Sequence, residues 1–163
     1  MNLTYNDFTI SNGELVLANS RGFSLVFFTS PYCEYCEDFS KYFNFVALRV
    51  TGCNFYVCDI TVEKQIYMAS QNTKTPITYV PLIFLFADGK IIGQYFPDEQ
   101  KPENNINLLP KFLQETTTRL KPSQTENLPY GGIPYNLNTS SIRSKTKTCK
   151  ITDLYSKMTY PKT

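Results

Sequence analysis

The most constraining stretch of this chain is residues 25 to 47, where an apolar run passes through a turn into two cysteines and then into a helical pattern. Leu25-Val26-Phe27-Phe28 is too short to span a membrane and is bounded by turn residues, so it reads as a strand buried on both faces. After Thr29-Ser30-Pro31-Tyr32 comes Cys33-Glu34-Tyr35-Cys36, and then Tyr35, Phe39, Tyr42, Phe43 and Val46 recur at three- and four-residue spacing. That spacing is one apolar face of a helix. The cysteines therefore sit where a strand ends and a helix begins. Unpaired backbone N–H groups and the positive end of the helix dipole favour a thiolate there, and can bring a cysteine pKa from ~8.5 to between ~3.5 and ~7.5. One helical turn separates the two sulfurs, close enough to bond, with Cys33 at the tip as nucleophile and Cys36 a turn deeper as resolving thiol.

Composition narrows the chemistry. The 163 residues suffice for one domain with a core and something extra. There are twelve Phe and twelve Tyr but no Trp and no His. Without histidine the usual general base, the commonest metal ligand and every Cys-His or Ser-His-Asp arrangement are missing. Five cysteines, an odd count with one close pair, fit a reducing compartment with one redox pair better than a secreted disulfide scaffold. Met1-Asn2-Leu3-Thr4-Tyr5-Asn6-Asp7 has no basic start or long apolar run, so no secretory signal is expected, and no stretch reaches the length of a membrane span.

The remaining segments can be read in order. Phe8-Thr9-Ile10 and Leu15-Val16-Leu17 flank Asn12-Gly13, which signals either a hairpin or a first strand followed by a short helix. Asn54 to Ile60 reads as a second strand, and Val62, Ile66 and Ala69 predict a short helix over 62–71. Strand, helix, strand, helix implies parallel pairing. Asp88-Gly89 between the apolar runs 79–87 and 90–96 predicts an antiparallel hairpin. Pro81 opens a strand that otherwise looks central, where proline cannot donate to the ladder. Ile106, Leu109, Phe112, Leu113 and Leu120 predict a last amphipathic helix over 102–120, with Pro110 at its first turn or at a kink.

This order, together with the cysteine pair and Pro81, resembles the thioredoxin-like superfamily over residues 3 to 120. The resemblance implies an α/β thioredoxin-like fold, a mixed central sheet flanked by helices. It also implies a cis-proline at Pro81 beside the cysteines, with the preceding backbone free to bond a polypeptide. Implied function is thiol–disulfide exchange on protein substrates through Cys33 and Cys36, with Tyr32, Val80 and Pro81 shaping the substrate groove and no cofactor. Two departures stand out. The buried carboxylate that moves a proton in such enzymes falls at Phe27, and its usual lysine partner near Val57, leaving water or Glu37 to serve. Glu34, Glu37 and Asp38 oppose a neighbouring thiolate, so a slowly exchanging Cys33 is expected. The rival metal reading takes Cys33, Cys36, Cys53 and Cys58 as zinc ligands, against which Cys58 lies inside an apolar strand. In that light Cys58 is a small core residue and Cys53 a partly buried loop thiol.

Residues 121–163 differ in kind and form an extended C-terminal arm, set apart from a domain over 1–120. The first 120 residues hold nine Lys/Arg against twelve Asp/Glu, the rest seven against two. The basic arm thus suits an acidic surface, nucleic acid or the chain's own body. Mixed turn and polar residues show no lasting period, so no packed element is expected, yet Tyr130, Ile133, Tyr135, Ile151, Leu154, Tyr155 and Met158 are more apolar anchors than a linker needs. The arm is therefore expected to dock on an assembly partner, with Cys149 idle or in a mixed disulfide. Because the other aromatic residues fall at core positions, nucleic acid is not an expected partner. An Asn-rich, His-free and Trp-free composition is also similar to that of proteins of large DNA viruses. The competing functional class is accordingly a structural or docking component of a larger assembly, such as a virus particle, and the compartment is either reducing cytoplasm or that particle.

Overall fold

A computed structural model describes residues 1–119 and 147–159. Its centre is a four-stranded sheet in the order β4-β3-β6-β7, formed by Cys53–Asp59, Phe23–Thr29, Leu82–Ala87 and Lys90–Tyr95. Strand β3 pairs parallel with β4 and antiparallel with β6, and β6 pairs antiparallel with β7. The sheet is mixed, as the strand and hairpin signals predict.

Why Leu25–Phe28 of β3 are all apolar becomes plain from what lies on each face. Phe27 packs edge-on against Phe39 and tilted against Phe43, both ring pairs 5.2 Å apart, and those two residues belong to helix α1, Glu34–Ala47. Phe28 instead meets Phe84 of β6 and Phe8 on the opposite face. Alternation along the strand sends neighbouring side chains to opposite sides, so a strand covered on both sides needs no polar positions. Helix α3, Asn105–Thr118, joins α1 on the Phe27 side, where Tyr95 links Phe39 to Phe112.

The two hairpins follow their turn residues. β1, Phe8–Ser11, and β2, Glu14–Leu17, pair antiparallel around Asn12 and Gly13, both with positive φ, so the hairpin reading of this segment is the one realised. Asp88 and Gly89 turn β6 into β7, again with positive φ at both. Gly89 has a second constraint: a Cβ there would come 2.5 Å from the Leu17 carbonyl oxygen, while Leu17 N–H donates to the Gly89 carbonyl at 2.9 Å. Gly89→Ala is therefore expected to cost about 1–3 kcal/mol, from a strained left-handed residue and a crowded contact between hairpins. Urea unfolding checks this, and an unchanged midpoint would count against it.

Two expectations need correction, and a third is narrowed. Helix α2 runs Lys64–Ser70, shorter than 62–71, because Asp59 accepts from Thr61 N–H and Val62 N–H and holds those residues in a turn. Val62 is consequently 71% exposed and not on the helix face. Of the two positions open to Pro110, the first turn is excluded, because it lies inside α3 and the first turn of this segment is a 3-10 turn begun by Pro102. The arm does contain packed elements. Cys149–Lys150 forms strand β8 and Ile151–Thr159 forms helix α4. Tyr130, Ile133, Tyr135 and Leu120 lie outside the described residues.

Candidate functional site

Cys33 occupies the residue just before α1, in extended conformation, with its carbonyl accepting from Cys36 N–H at 3.1 Å and Glu37 N–H at 3.4 Å. The approach is fixed by Ser30, whose carbonyl accepts from Cys33 N–H and whose hydroxyl accepts from Tyr32 N–H. This places Cys33 at the helix start, as the strand-to-helix boundary predicts. Beside it lies strand β5, Tyr79–Val80, followed by a cis peptide bond between Val80 and Pro81. Cys33 Sγ is 3.7 Å from the Val80 carbonyl oxygen. The structure therefore brings Cys33, Val80 and Pro81 together, with Tyr32 exposed at the rim.

The bonding of the cysteines is unexpected. Cys33 forms a disulfide with Cys149 of β8, across a sequence separation of 116 and with Cα atoms 6.0 Å apart. Cys36, Cys53 and Cys58 are free thiols. Cys33 is consequently only 1% exposed, against the expectation of an exposed nucleophile, and Cys149 is neither idle nor given to a partner. The four-cysteine zinc arrangement is not assembled, since Cys33 spends its sulfur on Cys149, and among the described residues no group of three or more His, Cys, Asp or Glu is placed to hold a metal ion.

Cys36, one helical turn after Cys33 and also 1% exposed, lines a cleft of about 720 Å³ together with Thr29, Ser30, Glu37, Asp59 and Glu63. Burial pushes its thiol up to about 11; hydrogen bonds from Thr29 and Ser30 act the other way, and the charge of Asp59 adds to the rise. A neutral thiol is thus the stable form in the resting protein. Burial likewise pushes Cys53 up to about 11 and Cys58 to about 12, so neither is an activated nucleophile.

Phe27 and Val57, the positions of the missing carboxylate and lysine, are direct cross-strand partners in the β3–β4 ladder. The positions that the resemblance assigns to a carboxylate and a lysine thus hold two apolar residues, Phe27 in the core and Val57 packed against it. The charged group nearest in effect to Cys36 is instead Asp59, which closes β4 opposite Thr29. Sequence spacing gave no signal for it, because parallel pairing sets that neighbour.

The segment carrying Cys149 docks along the site. β8 pairs antiparallel with β5, Val80 opposite Cys149 and Tyr79 opposite Lys150, and Ile151 N–H donates to the Thr78 carbonyl at 3.1 Å. Ile151 and Leu154 of α4 are at most 1% exposed, within the main core. Tyr155 stacks edge-on against Tyr67 of α2 at 5.2 Å and its hydroxyl donates to the Ile60 carbonyl at 2.8 Å. Lys147 N–H donates to the Glu99 carboxylate, bringing the basic arm onto an acidic part of the body. A signal was present in the sequence: Ile151, Leu154, Tyr155 and Met158 have i, i+3, i+4, i+7 spacing, though over barely two turns.

A cysteine at the mouth of a helix, a cis-proline strand beside it, and a mixed sheet in this order with helices on both faces define the thioredoxin-like fold. No protein-family model matches the chain. Over 70 residues it is 30% identical to "Uncharacterized protein 196R" of Invertebrate iridescent virus 6, a viral protein, in an alignment covering 43% of this chain and 40% of that one. The chain thus spans about two fifths of the length of that relative. Among solved structures it is similar to mitochondrial thioredoxin 3 of Saccharomyces cerevisiae in its oxidized form, at 18% identity and a TM-score of 0.46, over 59% of this chain and 80% of the other. Among the described residues no helix is long and apolar enough to cross a membrane.

Proposed function

We propose that the chain is a thiol–disulfide oxidoreductase acting on protein disulfides through Cys33 and Cys36, with residues 1–120 as the exchanging domain and 121–163 as its arm. One observation carries this reading: Cys33 is bonded to a cysteine whose backbone is paired with Val80, next to the cis-proline. A cysteine held there accepts a sulfur from an extended polypeptide. In the forward reaction an external dithiol first reduces the resting disulfide. Cys33 thiolate then attacks one sulfur of a substrate disulfide, the other sulfur leaves as thiolate, and Cys36 displaces the substrate from Cys33 to form Cys33–Cys36. Tyr32, Val80 and Pro81 line the path of the substrate chain. The reducing cytoplasm, or the interior of a virus particle, is the proposed location.

Insulin reduction with dithiothreitol as electron source tests this. The chain is expected to accelerate turbidity over the reductant alone, and Cys33→Ser to return it to the background rate. Equal rates for both proteins would remove the enzymatic reading. A structural role in a larger assembly is the second reading, favoured by the apolar Phe27–Val57 pair where a proton relay would be expected.

A further inference from the structure

Strand β5 is two residues long and, among the described residues, β8 is the strand paired with it. Without β8 it is an open edge beside Cys33, the kind of edge to which an extended peptide adds as a strand. The chain's own residues 147–159 occupy that edge in four ways at once. They give it a backbone ladder, a disulfide, two buried apolar side chains and a tyrosine seated between α2 and the Ile60 carbonyl. Lys64 adds its ammonium 5.4 Å above the Tyr155 ring. This is more than a covalent link needs, and it is what a bound substrate would look like.

We propose that residues 147–159 are an internal substrate of the site and that Cys149 is a third exchanging cysteine, discharged by Cys36. This deepens the oxidoreductase reading and rests on it for the role of Cys33. In the step, Cys36 loses its proton and its thiolate attacks Cys33 Sγ; the Cys33–Cys36 bond forms as the Cys33–Cys149 bond breaks. Cys149 leaves as thiolate and takes up a proton. One disulfide is exchanged for another, so no outside oxidant or reductant takes part. The freed segment then competes with other polypeptides for the β5 edge from a tethered position, which gives it a high effective concentration. The substrate class follows from the occupant: an extended segment antiparallel to β5, with a cysteine opposite Val80, basic residues around it, and apolar residues two and five positions later.

The test uses the full oxidised chain with no added thiol and a low concentration of iodoacetamide, followed by peptide mapping. In the native sequence, Cys149 is expected to become alkylated over time while a Cys33–Cys36 disulfide accumulates. In Cys36→Ser, Cys149 stays unlabelled and bonded to Cys33. Leu154→Asp, which loosens the docked helix, should speed labelling of Cys149 by about tenfold or more. A Cys149 that is labelled no faster in the native chain than in Cys36→Ser overturns the proposal, as does mapping that finds no Cys33–Cys149 bond in Cys36→Ser. The two readings fail separately. Cys36-dependent labelling with no insulin reduction leaves the internal exchange standing and removes the enzyme, whereas Cys33-dependent insulin reduction with Cys36-independent labelling does the reverse.

Discussion

Raising the pH from 7 to 10 is expected to accelerate the release of Cys149 by Cys36 about a thousandfold. The thiolate is the attacking species, and with the Cys36 thiol pushed up to about 11 its population grows roughly tenfold for each pH unit over that range. A thiol of ordinary acidity, at ~8.5, would level off near pH 9. A series of labelling rates at fixed iodoacetamide therefore separates the two, and a plateau below pH 9 would show that the buried setting does not control the step. Stability should move the opposite way. The folded state favours the neutral thiol relative to the unfolded chain, so the contribution of Cys36 is complete below pH 9 and is lost as the pH climbs toward 11. Rates are best compared up to pH 10, by which point about half of that contribution is already lost.

Placing a carboxylate at Phe27, the position that the thioredoxin-like resemblance assigns to one, is expected to break this protein. Phe27→Asp removes a ring packed against Phe39 and Phe43, which alone costs about 3–5 kcal/mol. It also leaves a carboxylate in a fully apolar setting, at a further penalty of several kcal/mol unless it stays protonated. A typical domain has about 5–15 kcal/mol in total, so the variant should be largely unfolded. Circular dichroism with urea unfolding measures this. A folded Phe27→Asp protein that resolves Cys149 faster than the native chain would mean that the site retains room for the missing relay. The apolar Phe27–Val57 pair then would not explain a slow exchanger.

Several features could be read directly from the chain. The strand over Leu25–Phe28, the helix after the cysteine pair and the Asp88-Gly89 hairpin rest on local chemistry, whereas the Asn12-Gly13 hairpin was one of two readings and the cis bond before Pro81 followed from the thioredoxin-like resemblance. Apolar periodicity and turn residues act over a few residues, and a linear text carries them. The shortened α2 was not legible, because the Asp59 turn that delays its start depends on one side chain accepting two backbone N–H groups. Helix α4 was nearly so, since its apolar spacing is correct but brief, and a helix that short is stable only when its face has somewhere to pack.

Residue order alone suffices to place a CxxC where a buried strand meets a helix, and a basic arm after a slightly acidic body. Which cysteine Cys33 holds is a matter of the fold. Disulfide pairing depends on Cα separation and on which strands lie side by side, and the pairing of β8 with β5 joins positions 149 and 80 that no local pattern relates. The same pairing seats residues 149 and 150 beside Val80 and Cys33, where the chain alone suggested an arm docked on a partner.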